Sequence, residues 1–245
     1  MKTPIASDGK PNNRLNRKQT LEWIVVISLL TILPFIGLTE FNTKGEPREA
    51  IVAYSMLEHG NWILPTNNGG DIAYKPPLFH WCIAFFSLFT GHVNEFTSRL
   101  PSALALIAMV ISGFSFFSKR KNSEAALLSS VLTLTMFEVH RAGLNCRVDM
   151  VLTAFIVGAL YLLYQWAEEG RKKIPWGAIA CMGCATLTKG PVGIVLPCLV
   201  TGVFLLIKGN DIGESELLTI PRKPKVAEYE NKQKYRGNVL CTICL

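Results

Sequence analysis

Three short stretches hold most of the side chains that could do chemistry. The first is Gly45-Glu46-Pro47-Arg48-Glu49, and the second runs Tyr74-Lys75-Pro76-Pro77-Leu78-Phe79-His80-Trp81. The third runs from Arg141 to Asp149 and includes Cys146 and Arg147. Lys189, between Thr188 and Gly190, joins Arg48, Lys75 and Arg147 as a fourth cation. Two acids, Glu46 and Asp149, sit at the edges of apolar runs, where a charge is costly enough to be a functional hint. The cations are less telling, because Lys, Arg, Trp and Tyr also anchor helices at headgroup depth. Together the set suits work on a phosphate. Arginine grips phosphate oxygens in pairs and lysine acts as a point charge. A carboxylate, Glu46 or Asp149, would orient or deprotonate an attacking hydroxyl. Tyr74 and His80 could support that work, although a His beside Trp81 is more often just interfacial. The plainer alternative for both acids is helix capping.

Composition says what must position these residues. The 245-residue chain is 49% hydrophobic and only 18% charged, below the roughly 25% of soluble domains; its mean hydropathy is +0.29. Charges crowd into short segments with long uncharged runs between them, the layout of an all-α polytopic membrane protein. The net charge of +7 sits at the ends of apolar runs, where membrane topology accounts for it, so no nucleic-acid partner is expected. Two of the C-x-x-C spacings open to zinc or redox chemistry occur, Cys181–Cys184 and Cys241–Cys244. The first shares a helix with the small-residue stripe Gly177, Cys181 and Ala185, which suits close helix packing in lipid. No metal ligands are assigned.

A span needs about 20 apolar residues, which selects 22–40, 100–118, 124–140 and 149–166. The run 175–207 is too long for one span and reads as two short helices meeting at a Lys189-Gly190-Pro191 hinge. Placing the basic clusters 1–20, 119–121 and 171–173 in the cytoplasm requires even numbers of crossings between them. The short apolar stretch Pro77–Gly91 must then stay at the outer surface. Residues 46–59 read as a second in-plane helix, begun by Pro47, patterned by Ala50, Ala53, Tyr54 and Leu57, and ended by Gly60. Asn67-Asn68-Gly69-Gly70 reads as a turn between the two. The chain thus divides into a basic cytoplasmic N-terminus (1–20), a transmembrane module (21–208) with an outer loop (41–98), and a polar tail (209–245). The tail reads as truncated or frameshifted.

These motifs resemble the GT-C-fold glycosyltransferases that use polyprenyl-phosphate sugars, especially the aminoarabinose transferase and protein O-mannosyltransferase group. The resemblance rests on Gly45-Glu46-Pro47-Arg48, Gly60-Asn61-Trp62-Ile63-Leu64-Pro65 and Lys75 through Trp81. Arg99-Leu100-Pro101-Ser102-Ala103, Asp149 and Leu187 through Pro191 extend it, so that it covers residues 20 to about 208. It implies sugar transfer from a polyprenyl-phosphate donor to an acceptor it does not identify, at the outer face of a bacterial inner membrane, as in lipid A or cell-envelope glycan modification. Glu46 and Asp149 would be the catalytic acids, and Arg48, Lys75, Arg147 and Lys189 would bind the donor phosphate. Two positions depart from the pattern. Gly45 stands where the family has its first acid, and Tyr74 stands where an acid implicated in metal binding is common. A divalent metal cofactor is therefore left open. The resemblance also implies a longer protein, so this chain is expected to be inactive alone. A transporter or flippase remains the alternative, and the clustering of charge at one face instead of midplane counts against it.

Overall fold

The computed structural model describes residues 16–67, 70–170 and 173–217, the last nine as backbone only. Among them every regular element is helical. Helix α1 (Arg17–Ile32) runs on into a 3-10 turn, Leu33–Phe35. Then come α2 (Gly45–His59), α3 (Leu78–Thr90), α4 (Glu95–Arg120), α5 (Ser123–Thr135), α6 (Phe137–Leu144), α7 (Val148–Glu168), α8 (Trp176–Lys189) and α9 (Val192–Leu217). Arg17–Phe35, α4 and α7 are long and apolar enough to cross a membrane; α3, α5 and Val192–Lys208 are apolar but shorter.

Local chemistry explains the boundaries. Asn94 and Thr97 form a reciprocal capping box, with Asn94 Oδ1 accepting the Thr97 N–H at 2.8 Å and Thr97 Oγ1 accepting the Asn94 N–H at 3.0 Å. The box starts α4 upstream of the expected span at 100 and brings Arg99 inside the helix. Gly60 and Gly91 end α2 and α3 at φ 69° and 76°, a left-handed turn that glycine adopts without steric cost.

The expected single span 124–140 is two helices. Met136 is extended (φ −60°, ψ 123°) and separates α5 from α6, so 141–148 is half helix and not a plain loop. No glycine or proline marks the break. Thr133 and Thr135, in the last turn of α5, turn their hydroxyls back onto the carbonyls of Ser129 and Val131. Helix α6 then lies so close on α4 that a Cβ at Gly143 would fall 2.4 Å from Leu106 Cδ2.

The Lys189–Pro191 hinge is present. Gly190 adopts φ 85° and ψ −154°, a region that side-chain-bearing residues avoid. The small-residue stripe faces α7, where a Cβ at Gly177 would meet Leu162 at 3.2 Å and one at Gly158 would meet Cys181 at 3.7 Å. Helix α9 continues to Leu217, past the boundary read at 208. The tail from 218 onward, with Cys241 and Cys244, lies outside the described residues.

Two polar clusters define the two ends of the bundle. Arg17 Nε donates to Ser118 Oγ at 3.0 Å, and Arg120 pairs with Glu168 while stacking on Phe116. The start of α1 and the ends of α4 and α7 therefore share one end. The opposite end gathers the tail of the α1 segment, α2, and the starts of α4 and α7. Between the ends, Ile24, Ile32 and Ile36 pack against Leu106, Val110 and Phe114 of α4. A second apolar cluster, Ala53, Phe79, Ile83, Val148 and Val151, ties α2 and α3 to the start of α7.

Candidate active site

Helix α2 buries Glu46, Glu49, Ala53 and Met56, spaced by three, four and three residues. Its core-facing stripe thus carries two acids, and their partners give them different work.

Glu46 has no exposed surface. Its Oε1 accepts from Arg99 Nε and from the Cys146 N–H, each at 2.9 Å. Its Oε2 accepts from the Asn42 N–H at 2.8 Å and the Thr43 N–H at 3.3 Å. Arg99, itself 1% exposed, spends its remaining donors on the carbonyls of Ile36 (3.0 Å), Thr39 (2.7 Å) and Glu40 (2.8 Å). Burial alone would raise the Glu46 pKa, but Arg99 and the backbone N–H groups outweigh it and hold the carboxyl below its ordinary value. The expectation that Glu46 is a catalytic acid is corrected here. An enclosed carboxylate accepting from Arg99 and three backbone N–H groups cannot receive a proton from an acceptor, and it does not cap α2 either. It locks three segments together.

Glu49, which the sequence reading passed over, meets the chemistry. Its Oε1 takes Lys75 Nζ at 2.5 Å, with Arg48 at 3.6 Å, and its Oε2 takes His80 Nε2 at 2.8 Å. His80 is buried beside Phe79 and not interfacial. Burial pushes the Glu49 carboxyl up, yet His80 and Lys75 together bring it down to about 2.

That shift has a measurable consequence. A carboxyl with an ordinary value of 4.5 in the unfolded chain and about 2 in the fold contributes on the order of 3 kcal/mol above pH 4.5. The contribution is lost as pH falls from 4.5 through 2. In detergent, Tm should drop through that window more steeply in the wild type than in Glu49→Gln. Equal slopes would mean that Glu49 is not held ionised by its partners.

Arg48, Glu49, Lys75, Arg147, Asp149 and Lys189, with Gly45, line a cleft of about 160 Å³. All four cations expected to bind phosphate therefore meet in one place, from four separate segments. Ser102 Oγ donates to the Arg147 carbonyl at 3.0 Å and fixes that residue's backbone. The Arg147 guanidinium passes 3.5 Å from where a Gly45 Cβ would stand. Across the cleft, Lys189 Nζ reaches Asp149 Oδ1 at 2.5 Å with both side chains 44% exposed, so the Gly190 hinge delivers its lysine to the start of α7. Tyr74 is 81% exposed and lines a smaller adjoining cavity with His80. Cys146 is buried, and its thiol pKa is pushed well up by that burial.

Among the described residues the acids do not form a metal site. With Tyr74 in place of an acid, Glu49 committed to Lys75 and His80, and Asp149 to Lys189, no group of three or more His, Cys, Asp or Glu among the described residues is placed to hold an ion.

Residues 74–218 match the model of the dolichyl-phosphate-mannose-protein mannosyltransferase family. The chain belongs to that family. The match begins at the Tyr74-Lys75 motif and takes in Arg147, Asp149 and Lys189. A Shewanella sediminis undecaprenyl phosphate-α-4-amino-4-deoxy-L-arabinose arabinosyl transferase is 27% identical over 198 residues, 77% of this chain and 36% of the relative. A protein of uncharacterised function from Aquifex aeolicus is 29% identical over 191 residues, 76% of this chain and 38% of the relative. In structure the chain is similar to ArnT from Cupriavidus metallidurans, solved bound to undecaprenyl phosphate, with a TM-score of 0.69 at 24% identity. That likeness covers 78% of this chain and 36% of ArnT, and it shows the fold: an all-helical, multi-pass GT-C-like membrane module. The chain spans little more than a third of the length of these relatives.

Proposed function

We propose that the cleft receives the phosphate of a polyprenyl-phosphate sugar and that the protein transfers the sugar to an acceptor at the outer face of the membrane. The observation that carries this reading is the convergence of Arg48, Lys75, Arg147 and Lys189 on one cleft beside short apolar helices. The prenyl chain would stay in lipid while its phosphate meets these cations. As the glycosidic bond breaks, negative charge grows on the departing phosphate, and preorganised cations stabilise that charge most. Asp149, partly exposed at the cleft wall, is the carboxylate placed to orient or deprotonate the acceptor hydroxyl. Lys189 holds it there. The relatives' names support an aminoarabinose-like sugar on an undecaprenyl carrier.

The reading is tested with the chain in nanodiscs titrated with undecaprenyl phosphate. Binding should weaken with salt, and Lys75→Ala and Arg147→Ala should each weaken it about tenfold or more. Unchanged affinity in both variants would sink the phosphate assignment.

Orientation rests on the basic residues described at the bundle end opposite the cleft, Arg17 and Lys18 at the start of α1 and Lys119 to Lys121 at the end of α4. Cys146 is too buried to report it, so exposed Asp71 and Lys121 serve better. With the native cysteines replaced, Asp71→Cys should react with a membrane-impermeant thiol reagent in intact cells and Lys121→Cys only after permeabilisation. The reverse pattern would put the cleft in the cytoplasm.

A further inference from the structure

We propose that Glu49 is a positioning residue: buttressed by His80, its carboxylate tethers the Lys75 ammonium at the cleft wall, ready for a phosphate. The inference rests on reading the cleft as a phosphate site.

Lys75 sits in the link between α2 and α3 on a four-carbon stem, and a free lysine of that kind samples many rotamers. Here its Nζ is fixed 2.5 Å from Glu49 Oε1. Glu49 is rigid because it stands on a helix and its other oxygen is held from behind by His80 Nε2 at 2.8 Å. One oxygen is thus anchored in the core and the other meets the cation. A lysine ammonium has three donors, and the tether uses one, so two remain for a ligand.

His80 shows that the arrangement has a purpose beyond packing. It is 1% exposed, and its Nδ1 is buried without a hydrogen-bond partner. Such an orphan is unfavourable, and an apolar side chain would fill the place without it. What the imidazole supplies is the second hydrogen bond to Glu49. Held at about 2, the Glu49 carboxyl stays ionised and is a poor proton acceptor, which suits a fixed counter-charge better than a base. The tether also separates Glu49 from Asp149: both line the cleft, but one is braced from the core and the other is half open to solvent.

The test is a double-mutant cycle on the full chain in nanodiscs, read as undecaprenyl phosphate affinity. Glu49→Gln keeps the shape and removes the charge. It should weaken binding about tenfold in the wild-type background and hardly at all in Lys75→Ala. An equal loss in both backgrounds would show general loosening of the cleft and overturn the proposal. A second arm needs no phosphate ligand. Imidoester modification of Lys75, followed by mass spectrometry against exposed Lys119, should run several-fold faster in Glu49→Gln than in wild type; an unchanged rate also overturns it. If Glu49→Gln does not fold, His80→Gln, which keeps a donor but displaces it, should give the same pattern more weakly. A wild type that binds no undecaprenyl phosphate, with Lys75 labelling still accelerated by Glu49→Gln, would fell the donor reading and leave the tether standing.

Discussion

Arg99→Met is expected to cost this protein its fold, at about 3–5 kcal/mol, the range for removing one partner of a buried ion pair. The variant leaves the Glu46 carboxylate enclosed without its counter-charge and strips donors from the carbonyls of Ile36, Thr39 and Glu40. Thermal melting in detergent, with the monodisperse fraction after extraction, reads the effect. Arg99→Lys should fail nearly as badly, because one ammonium cannot reach three carbonyls and a carboxylate together. Glu46→Gln should be milder, since its amide oxygen can still accept from a neighbouring N–H. Pairing Arg99→Met with Glu46→Met should recover part of the loss but not all, because the carbonyls stay unpartnered. A double variant as unstable as Arg99→Met alone would show that the buried charge is not the cause.

Asp149→Asn is expected to do the opposite: to leave the fold standing and cut turnover by roughly 10²–10⁴-fold. The amide keeps the shape and can still accept from Lys189, but it cannot take a proton. The measurement is the initial rate of sugar transfer from a polyprenyl-phosphate donor, per folded molecule, in a protein that carries the remainder found in the longer relatives. Glu46→Gln, normalised in the same way, should lose far less rate than protein yield. Near-normal turnover in Asp149→Asn would remove Asp149 from the chemistry and leave its pairing with Lys189 as a structural bond only.

The contrast between those two acids shows where sequence reasoning reached and where it stopped. Hydropathy and caps located the long helices, α2, α3 and the hinge, because each is set by local composition or by a single Gly or Asn. Arg48, Lys75, Arg147 and Lys189 were legible as a candidate set from their motifs, and the fold brings all four to one cleft. Burial was not legible. The helix was read as patterned by Ala50, Ala53, Tyr54 and Leu57, with Glu46 a catalytic acid and Glu49 given no role, whereas Tyr54 is half exposed and both acids face the core. The spacing Glu46, Glu49, Ala53, Met56 carries the signal, but it reads as a buried face only once Arg99 is known to answer it from 53 residues away. The break at Met136 was missed because no glycine or proline marks it in the sequence.

The cage around Glu46 also sets an order of events during synthesis. Its donors come from residues 42, 43, 99 and 146, and the last N–H belongs to Cys146. A nascent chain delivers its N-terminal helices to the membrane first. Until about a hundred further residues have followed, α2 holds an acid whose shell is unfinished. The first helices therefore cannot settle as a self-sufficient unit, and a chain halted before the start of α7 would present quality-control proteases with an open cage.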